Sequence, residues 1–359
     1  MTTADLPQGS VGLADPSAAP LLKVDDLHVS FPTDGGLVRA VRGVSFELRE
    51  GEVLGIVGES GSGKSVTMMA AMGLLPRTAR IEGSVTLRGR ELLGMEAHEL
   101  NRVRGDDMVM IFQDPMTSLN PVHKVGSQIA EAVRAHYEVD KDTGWKRAVE
   151  MLRLVGIPQP EQRAHSYPHE FSGGMRQRAM IAMAMANDPQ LIIADEPTTA
   201  LDVTVQAQVL DVLRTAKEET GAAVILITHD LGVVANMADR VLVMYAGRPV
   251  EIASVDEVYD NPRMPYTVGL LGSLPRVDAD GSERLHPIKG TPPSMVSLPS
   301  GCPFRPRCPL AVEVCVEQEP VLEATSTAED HWVACHRWRE VAREPDPVEI
   351  FDTGSGAAL

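Results

Sequence analysis

The chain has 359 residues, 43% of them hydrophobic, with 33 Lys and Arg against 50 Asp and Glu for a formal net charge of −17. That length leaves room for about two domains of roughly 150 residues each. The acidic balance disfavours broad binding along a nucleic-acid backbone, which needs clustered Lys and Arg, and it disfavours a polybasic membrane anchor; no nucleic-acid partner is expected.

No segment carries the roughly 18 consecutive apolar residues that a spanning helix needs. The best apolar runs, at 53–57, 191–194 and 224–227, have the length of buried strands. The N-terminal stretch carries Asp5 and Asp15 and lacks a basic region followed by an apolar one, so it does not read as a secretory signal. Any contact with a membrane is therefore expected to run through a partner.

In chain order, residues 1–20 are rich in Ala, Pro, Gly and Ser and read as a flexible tail. Strands are expected over 21–31 and 37–48, then an apolar strand over 52–57 that ends at Gly58. A helix over 64–75 stops near Pro76, and short strands follow at 83–88 and 108–112. Residues 122–136 and 145–155 show helical periodicity, and Gly156 and Pro158 punctuate its end. A helix over 173–187, a buried strand over 191–195, a helix over 203–220 closed by Gly221, and strands over 223–228 and 240–245 complete the pattern. Alternating strands and helices define an α/β domain over 21–255, with a helical insertion at about 114–172. After residue 256 proline becomes frequent and periodicity fades. Residues 256–344 are expected to form a separate, small, loop-rich C-terminal module held by something other than a large core. Residues 345–359 read as a second flexible tail. No internal repeat is present, so the chain carries one such domain.

The sequence Gly58-Glu59-Ser60-Gly61-Ser62-Gly63-Lys64-Ser65-Val66 fits G-x-x-x-x-G-K-[ST] where the pattern requires it, after an apolar strand and opening a helix. Glycines let the backbone wrap phosphate oxygens with successive N–H donors, and the helix N-terminus adds partial positive charge. Lys64 can reach the β- and γ-phosphates, and the Ser65 hydroxyl can ligate Mg²⁺. Alone, this loop establishes only nucleotide binding.

Further motifs narrow the reading. Phe171-Ser172-Gly173-Gly174-Met175-Arg176-Gln177-Arg178 resembles the signature of ATP-binding-cassette (ABC) proteins, and Ser172, Gly173 and Gly174 precede a helix as a second anion-binding N-terminus. Leu191-Ile192-Ile193-Ala194-Asp195-Glu196 resembles the Walker B strand. It would deliver Asp195 to the metal and Glu196 toward the γ-phosphate, where a carboxylate can accept a proton from attacking water. His229 resembles the family's switch histidine, Gln113 its Q-loop glutamine, and Ala200-Leu201-Asp202 its D-loop. Phe31 is the candidate for the aromatic that stacks on adenine. These elements stand in family order over about 21–255. The resemblance implies a P-loop NTPase (RecA-like) ABC cassette with an antiparallel β subdomain, and ATP and Mg²⁺ as cofactors. ATP would bind at a dimer interface, closed by the signature of another subunit. Glu196, His229 and Lys64 are the expected catalytic residues; Ser65, Gln113 and Asp195 are the expected Mg²⁺ site.

Three features resemble the ATP-binding subunits of dipeptide and oligopeptide importers and their nickel-importing relatives. These are the stretch Gln113-Asp114-Pro115-Met116-Thr117-Ser118-Leu119-Asn120-Pro121, Met175 in place of the usual signature Gln, and a C-terminal extension containing Gly301-Cys302-Pro303-Phe304-Arg305-Pro306-Arg307-Cys308-Pro309. The resemblance implies peptide uptake, two transmembrane permease subunits, a second paralogous ATPase in a heterodimer, an extracytoplasmic solute-binding protein, and a peripheral position on the cytoplasmic face of the cell membrane. Import of another solute, such as nickel or a heme-like ligand, and a soluble ABC ATPase are the alternatives.

All four cysteines, Cys302, Cys308, Cys315 and Cys335, fall in one short window with spacing C-x5-C-x6-C-x19-C. Four thiolates can hold a 4Fe–4S cluster or Zn²⁺, and the spacing does not fix which. Resemblance to the importer extension favours iron, in a structural role that staples a proline-rich module. His331 and His336 are spare ligands.

Overall fold

The computed structural model describes residues 19–114, 118–199, 202–274, 286–325 and 330–353. Outside them lie residues 1–18 of the expected first tail, residues 354–359 of the second, Pro115, Met116 and Thr117 after Gln113, and Ala200 and Leu201 of the D-loop stretch.

Two sheets organise the chain. The first is antiparallel, in the order β2-β1-β4-β5, formed by β1 (Leu22–Thr33), β2 (Gly36–Leu48), β4 (Arg80–Leu87) and β5 (Arg90–Glu91). The second has the order β11-β12-β10-β9-β3-β8-β7-β6. Its parallel centre comprises β3 (Val53–Val57), β6 (Met108–Ile111), β7 (Leu191–Asp195), β8 (Ala223–Thr228) and β9 (Arg240–Tyr245). Three antiparallel strands extend it: β10 (Arg248–Ser254), β11 (Glu323–Ala324) and β12 (Trp332–Val333).

The central strands are buried on both faces, which explains why they read as continuous apolar runs. Alternate side chains nevertheless serve different cores. Leu54, Ile56, Leu191, Ile193, Ile225 and Ile227 pack toward the antiparallel sheet. Val53, Val57, Ile192, Ala194, Val224 and Leu226 pack toward the helices on the opposite face.

The helical insertion is present as Val125–His136, Lys141–Leu154 and Pro160–Arg163. Asp140 caps the second helix by accepting from Thr143 N at 2.7 Å, and positive-φ Gly156 follows its end. The expected helix over 64–75 is shorter, Lys64–Ala71, because the chain turns at Gly73 with φ 60°. The helix expected over 173–187 ends at Met185.

The segment after residue 256 is loop-rich but not separate. β12 pairs with β10, Glu251 opposite Val333, so the C-terminal region adds strands to the central sheet. The sequence reading missed β10, and with it this junction. Tyr266 and Phe304 are fully buried in the larger core. The first part of the tail expected from 345 is ordered. Pro347–Glu349 forms a 3₁₀ turn, Ile350–Thr353 a short helix, and Ile350 is buried with Val268 and Val341. Proline hides periodicity here, while a few large apolar side chains supply the burial.

One buried polar contact locks the junction. His331, on the approach to β12, has Nε2 2.9 Å from Glu251 Oε1 and Nδ1 3.4 Å from Glu257 Oε2. Glu251 also accepts from the backbone N–H groups of Arg263 at 2.6 Å and Met264 at 3.2 Å. Both residues are almost solvent-free, so removing one strands a polar group in the core. His331→Ala is expected to cost about 3 kcal/mol, read as a lower denaturant midpoint in full-length chain; an unchanged midpoint would remove this contact as the lock.

Candidate active site

The site grows from the carboxyl edge of the parallel strands, where open α/β sheets bind ligands. β3, β8, β7 and β6 are neighbours, with Val57 beside Thr228, Asp195 beside Ile227 and Ile111 beside Ala194. Each strand ends just before an expected functional residue. The phosphate loop follows Val57, Asp195 closes β7 with Glu196 next, His229 follows Thr228, and Gln113 lies two residues beyond Ile111. Residues over a hundred positions apart are thus placed along one edge.

The phosphate loop bridges β3 and the helix Lys64–Ala71. Gly63 caps that helix at φ 101°, and a Cβ there would meet Ala40 O at 2.5 Å, so the turn needs glycine. Ser62 N donates to Glu59 O at 3.2 Å, and Ser62 O accepts from Gly247 N at 3.0 Å, which ties the loop to the β9–β10 turn. Lys64 is buried, and its Nζ donates to Gly58 O at 2.8 Å and Glu59 O at 3.1 Å. Burial holds its pKa below the ordinary lysine value, opposed by the charges of Glu196, Asp195 and Glu59.

Ser65 Oγ donates to Asp195 Oδ1 at 2.8 Å, so two expected Mg²⁺ ligands from distant segments are adjacent. The hard oxygen donors suit Mg²⁺, which would take one or two such ligands together with phosphate oxygens. Burial, and then the neighbouring Glu196 charge, push the Asp195 carboxyl above its ordinary value, while the Ser65 hydrogen bond opposes them.

Glu196 is the hub. It takes left-handed backbone geometry, φ 46°, with its N–H donating to Ile227 O at 2.9 Å. Oε2 accepts from Gln113 Nε2 at 3.0 Å and from Thr199 Oγ1 at 2.8 Å, and Oε1 lies 3.3 Å from His229 Nδ1. The structure therefore unites Gln113, Glu196 and His229 and adds Thr199, which sequence reasoning overlooked. Its only sequence signal is a hydroxyl three residues after the carboxylate, on the same turn.

The signature residues sit on other elements. Ser172 caps the helix Gly173–Met185, its Oγ accepting from Met175 N at 3.3 Å. A Cβ on Gly174 would meet Val205 Cγ1 at 2.5 Å, so glycine permits close packing against the helix Val203–Thr220. Asp202 caps that second helix, accepting from Val205 N at 3.0 Å. Phe31 is half-buried on β1 opposite Val38 and, like Val66, packs on the core between the two sheets. Gly61 carries positive φ, as does Gly58.

The four cysteines are free thiols and line one small cavity with Phe304, Arg305, Leu310 and Pro320. Burial pushes the Cys302 thiol up to about 11, the Cys308 thiol up to about 12, and Cys335 up as well. The Arg337 N–H donates to Cys335 Sγ at 3.3 Å. Among the described residues, however, no three His, Cys, Asp or Glu side chains are arranged as a metal-ligating group. His331 is engaged with Glu251, and His336 Nε2 lies 3.0 Å from Gln318 O.

A phosphate loop, a Walker B carboxylate pair and a helix-capping signature on a two-sheet P-loop fold define an ABC-type nucleotide-binding cassette. A family model described as ABC transporter matches residues 41–199, and one described as the C-terminal region of oligopeptide/dipeptide transporters matches residues 250–315. The chain is 53% identical over 316 residues to the oligopeptide transport ATP-binding protein OppD of Escherichia coli, covering 88% of this chain and 94% of that one. It is 52% identical over 317 residues to the dipeptide transport ATP-binding protein DppD of Bacillus subtilis, again covering 88% and 94%. It is 58% identical over 320 residues to OppD of Mycobacterium tuberculosis, covering 89% of this chain and 52% of that one, so it spans about half the length of the mycobacterial relative. Among solved structures it is similar to the ATP-binding cassette MJ0796 in a dimeric post-hydrolysis state bound to ADP and Pi, with TM-score 0.59 and 28% identity over 65% of this chain and 98% of that one. It is also similar to cbiO1 of Clostridium perfringens, part of the transporter complex cbiONQ, with TM-score 0.57 and 26% identity over 70% and 95% of the two chains. The chain belongs to the family of ATP-binding subunits of oligopeptide and dipeptide ABC transporters.

The raised Asp195 pKa has a stability consequence. The charged form is penalised in the folded chain, so this group's contribution is fully present below its unfolded pKa and is lost as pH rises through the higher folded value. Asp195→Asn removes the penalised charge and is expected to raise Tm near pH 7 without added metal, while abolishing the further stabilisation by Mg²⁺ with ATP. Thermal unfolding with and without MgATP checks both; a lower Tm without metal, or an intact MgATP shift, would contradict this account.

Proposed function

We propose that this chain binds and hydrolyses ATP and couples that cycle to uptake of oligopeptides or dipeptides across the cytoplasmic membrane. The observation that carries the reading is the Glu196 network beside the Ser65–Asp195 pair, at the mouth of the phosphate loop. Transport proteins at more than 50% identity across nearly their whole length support the substrate class.

The chain's own residues divide the work. Loop N–H groups and the Lys64 ammonium bind the β- and γ-phosphates, with Val66 and its neighbours in the first helical turn below them. Ser65, Asp195 and Gln113 would hold Mg²⁺, which would supply neutralising charge for the phosphates. Glu196 accepts a proton from the water that attacks the γ-phosphorus; the new oxygen–phosphorus bond forms as the bond to the ADP oxygen breaks, giving ADP and phosphate. Gln113, Thr199 and His229 hold the Glu196 carboxylate in place, and Lys64 and His229 face the charge developing on the transferring group. Phe31 stacks on adenine. Ser172, Gly173 and Gly174, with Asp202, serve the interface with a paralogous ATPase subunit, whose own signature closes over this site.

Partners under this reading are that second ATPase, two transmembrane permease subunits and an extracytoplasmic solute-binding protein, with the chain peripheral on the cytoplasmic face. Consistent with docking, no helix among the described residues is long and apolar enough to cross a membrane. Cys302, Cys308, Cys315 and Cys335 would hold a 4Fe–4S cluster. Their shared cavity and the Arg337 N–H donated to Cys335 Sγ support it, although the four sulfurs must draw together, since as placed they form no ligating group.

Glu196→Gln in the assembled transporter is expected to retain MgATP binding and lose hydrolysis at least about 100-fold; substantial residual turnover would remove Glu196 as the base. ATP-driven uptake of a labelled oligopeptide into vesicles tests the substrate class, and uptake of nickel or a heme-like ligand in its place would reassign it. Anaerobic purification should give about four iron and four sulfide per chain, lost in Cys315→Ser. One zinc, or no metal, would refute the iron–sulfur assignment and leave the ATPase reading standing.

A further inference from the structure

Glu59 occupies a position that the phosphate-loop pattern leaves free, yet the C-terminal region holds it at three atoms. Arg307 grips both carboxylate oxygens, Nη1 to Oε2 at 2.6 Å and Nη2 to Oε1 at 2.8 Å, a bidentate charge-assisted pair. The Glu59 N–H donates to the Tyr266 hydroxyl at 2.8 Å. Both partners come from beyond the cassette, more than 200 residues along the chain.

Arg307 is itself held in place. Its side chain is only 4% exposed, and Nε donates to Lys289 O at 3.2 Å. The guanidinium lies 5.9 Å from the ring centroids of both Tyr245 and Phe304. Those rings and Tyr266 pack mutually at 4.6 to 5.4 Å.

The gripped residue also shares with Gly58 the holding of Lys64. Glu59 O accepts from Lys64 Nζ and from Ser62 N. A line of contacts therefore runs from Arg307 through Glu59 to the ammonium that meets the phosphates. Glu59 also places a negative charge in a loop whose ligand is a polyanion; unpaired, it would repel that ligand.

We propose that Arg307 and Tyr266 are positioning residues for the nucleotide site: they fix the phosphate loop through Glu59, and Arg307 neutralises a carboxylate that would otherwise oppose triphosphate binding. This rests on the ATP-binding reading above. It makes the C-terminal extension part of the ATP site rather than an appendage. Arg307→Lys keeps charge but loses the fork, and Glu59→Gln keeps shape but loses charge.

The test is calorimetric titration of the full-length chain with MgATP. Arg307→Ala is expected to raise the Kd about tenfold, the equivalent of one decade in affinity, with Arg307→Lys between it and the unmodified chain. Glu59→Gln alone should weaken binding only about threefold, since it loosens the loop but removes the repelling charge. The double variant should bind more tightly than Arg307→Ala, a rescue that mere loss of folding stability would not produce. Should Arg307→Ala fail to fold, Arg307→Lys against Arg307→Lys/Glu59→Gln gives the same comparison. Unchanged Kd in the single variants, or a double variant no tighter than the Arg307 single, would overturn the clamp while leaving ATP binding intact. No MgATP binding by the unmodified chain would instead overturn the ATP reading, and the clamp with it.

Discussion

Charge balance at the carboxyl edge of the parallel sheet is the constraint on which the rest of the structure depends. Lys64, Asp195 and Glu196 meet where the central strands end, in a setting that desolvates the first two. Neither ion would be tolerated there alone, because an unpaired buried charge costs several kcal/mol. The lysine is held by its own loop carbonyls and faces two carboxylates; Asp195 is held by Ser65. A polyanionic ligand with its metal completes this balance from outside, which is how a site can be strained in charge yet built for one kind of molecule.

Fixing Glu196 requires backbone strain. Its left-handed geometry is uncommon for a residue with a Cβ and costs on the order of 1–3 kcal/mol. The hydrogen bond from its N–H to β8, and the side-chain bonds from Gln113 and Thr199, hold it there. Under the proposed role of Glu196, these bonds preorganise the carboxylate before any substrate arrives. Because Gln113 and His229 both address this carboxylate, movement after β6 or β8 is felt at the same atom pair.

The C-terminal region contributes through two different physical devices. A strand pair and the His331–Glu251 contact fuse it to the sheet. An aromatic cluster carries Arg307 to the phosphate loop. Cys308 follows Arg307 directly in sequence and lines the cysteine cavity, so that cavity is one residue from a side chain touching the phosphate loop.

The sequence by itself determined the α/β pattern, the phosphate loop with Lys64 and Ser65, the Asp195-Glu196 pair and the helices that follow Ser172 and Asp202. All of these depend on local chemistry: glycine where φ is positive, a hydroxyl or carboxylate ahead of a helix, an apolar run for a buried strand. It also gathered the four cysteines by spacing. Tertiary structure decided what spacing cannot carry. It selected Thr199 as a partner of Glu196 and gave Glu59 a distant arginine. It also turned a proline-rich stretch that looked separate into an extension of the central sheet, through β10, a strand that the sequence reading missed. Strand order and long-range pairing arise from the net packing of many weakly specific apolar surfaces, so they leave no short pattern in the chain, whereas loop and cap geometry is written residue by residue.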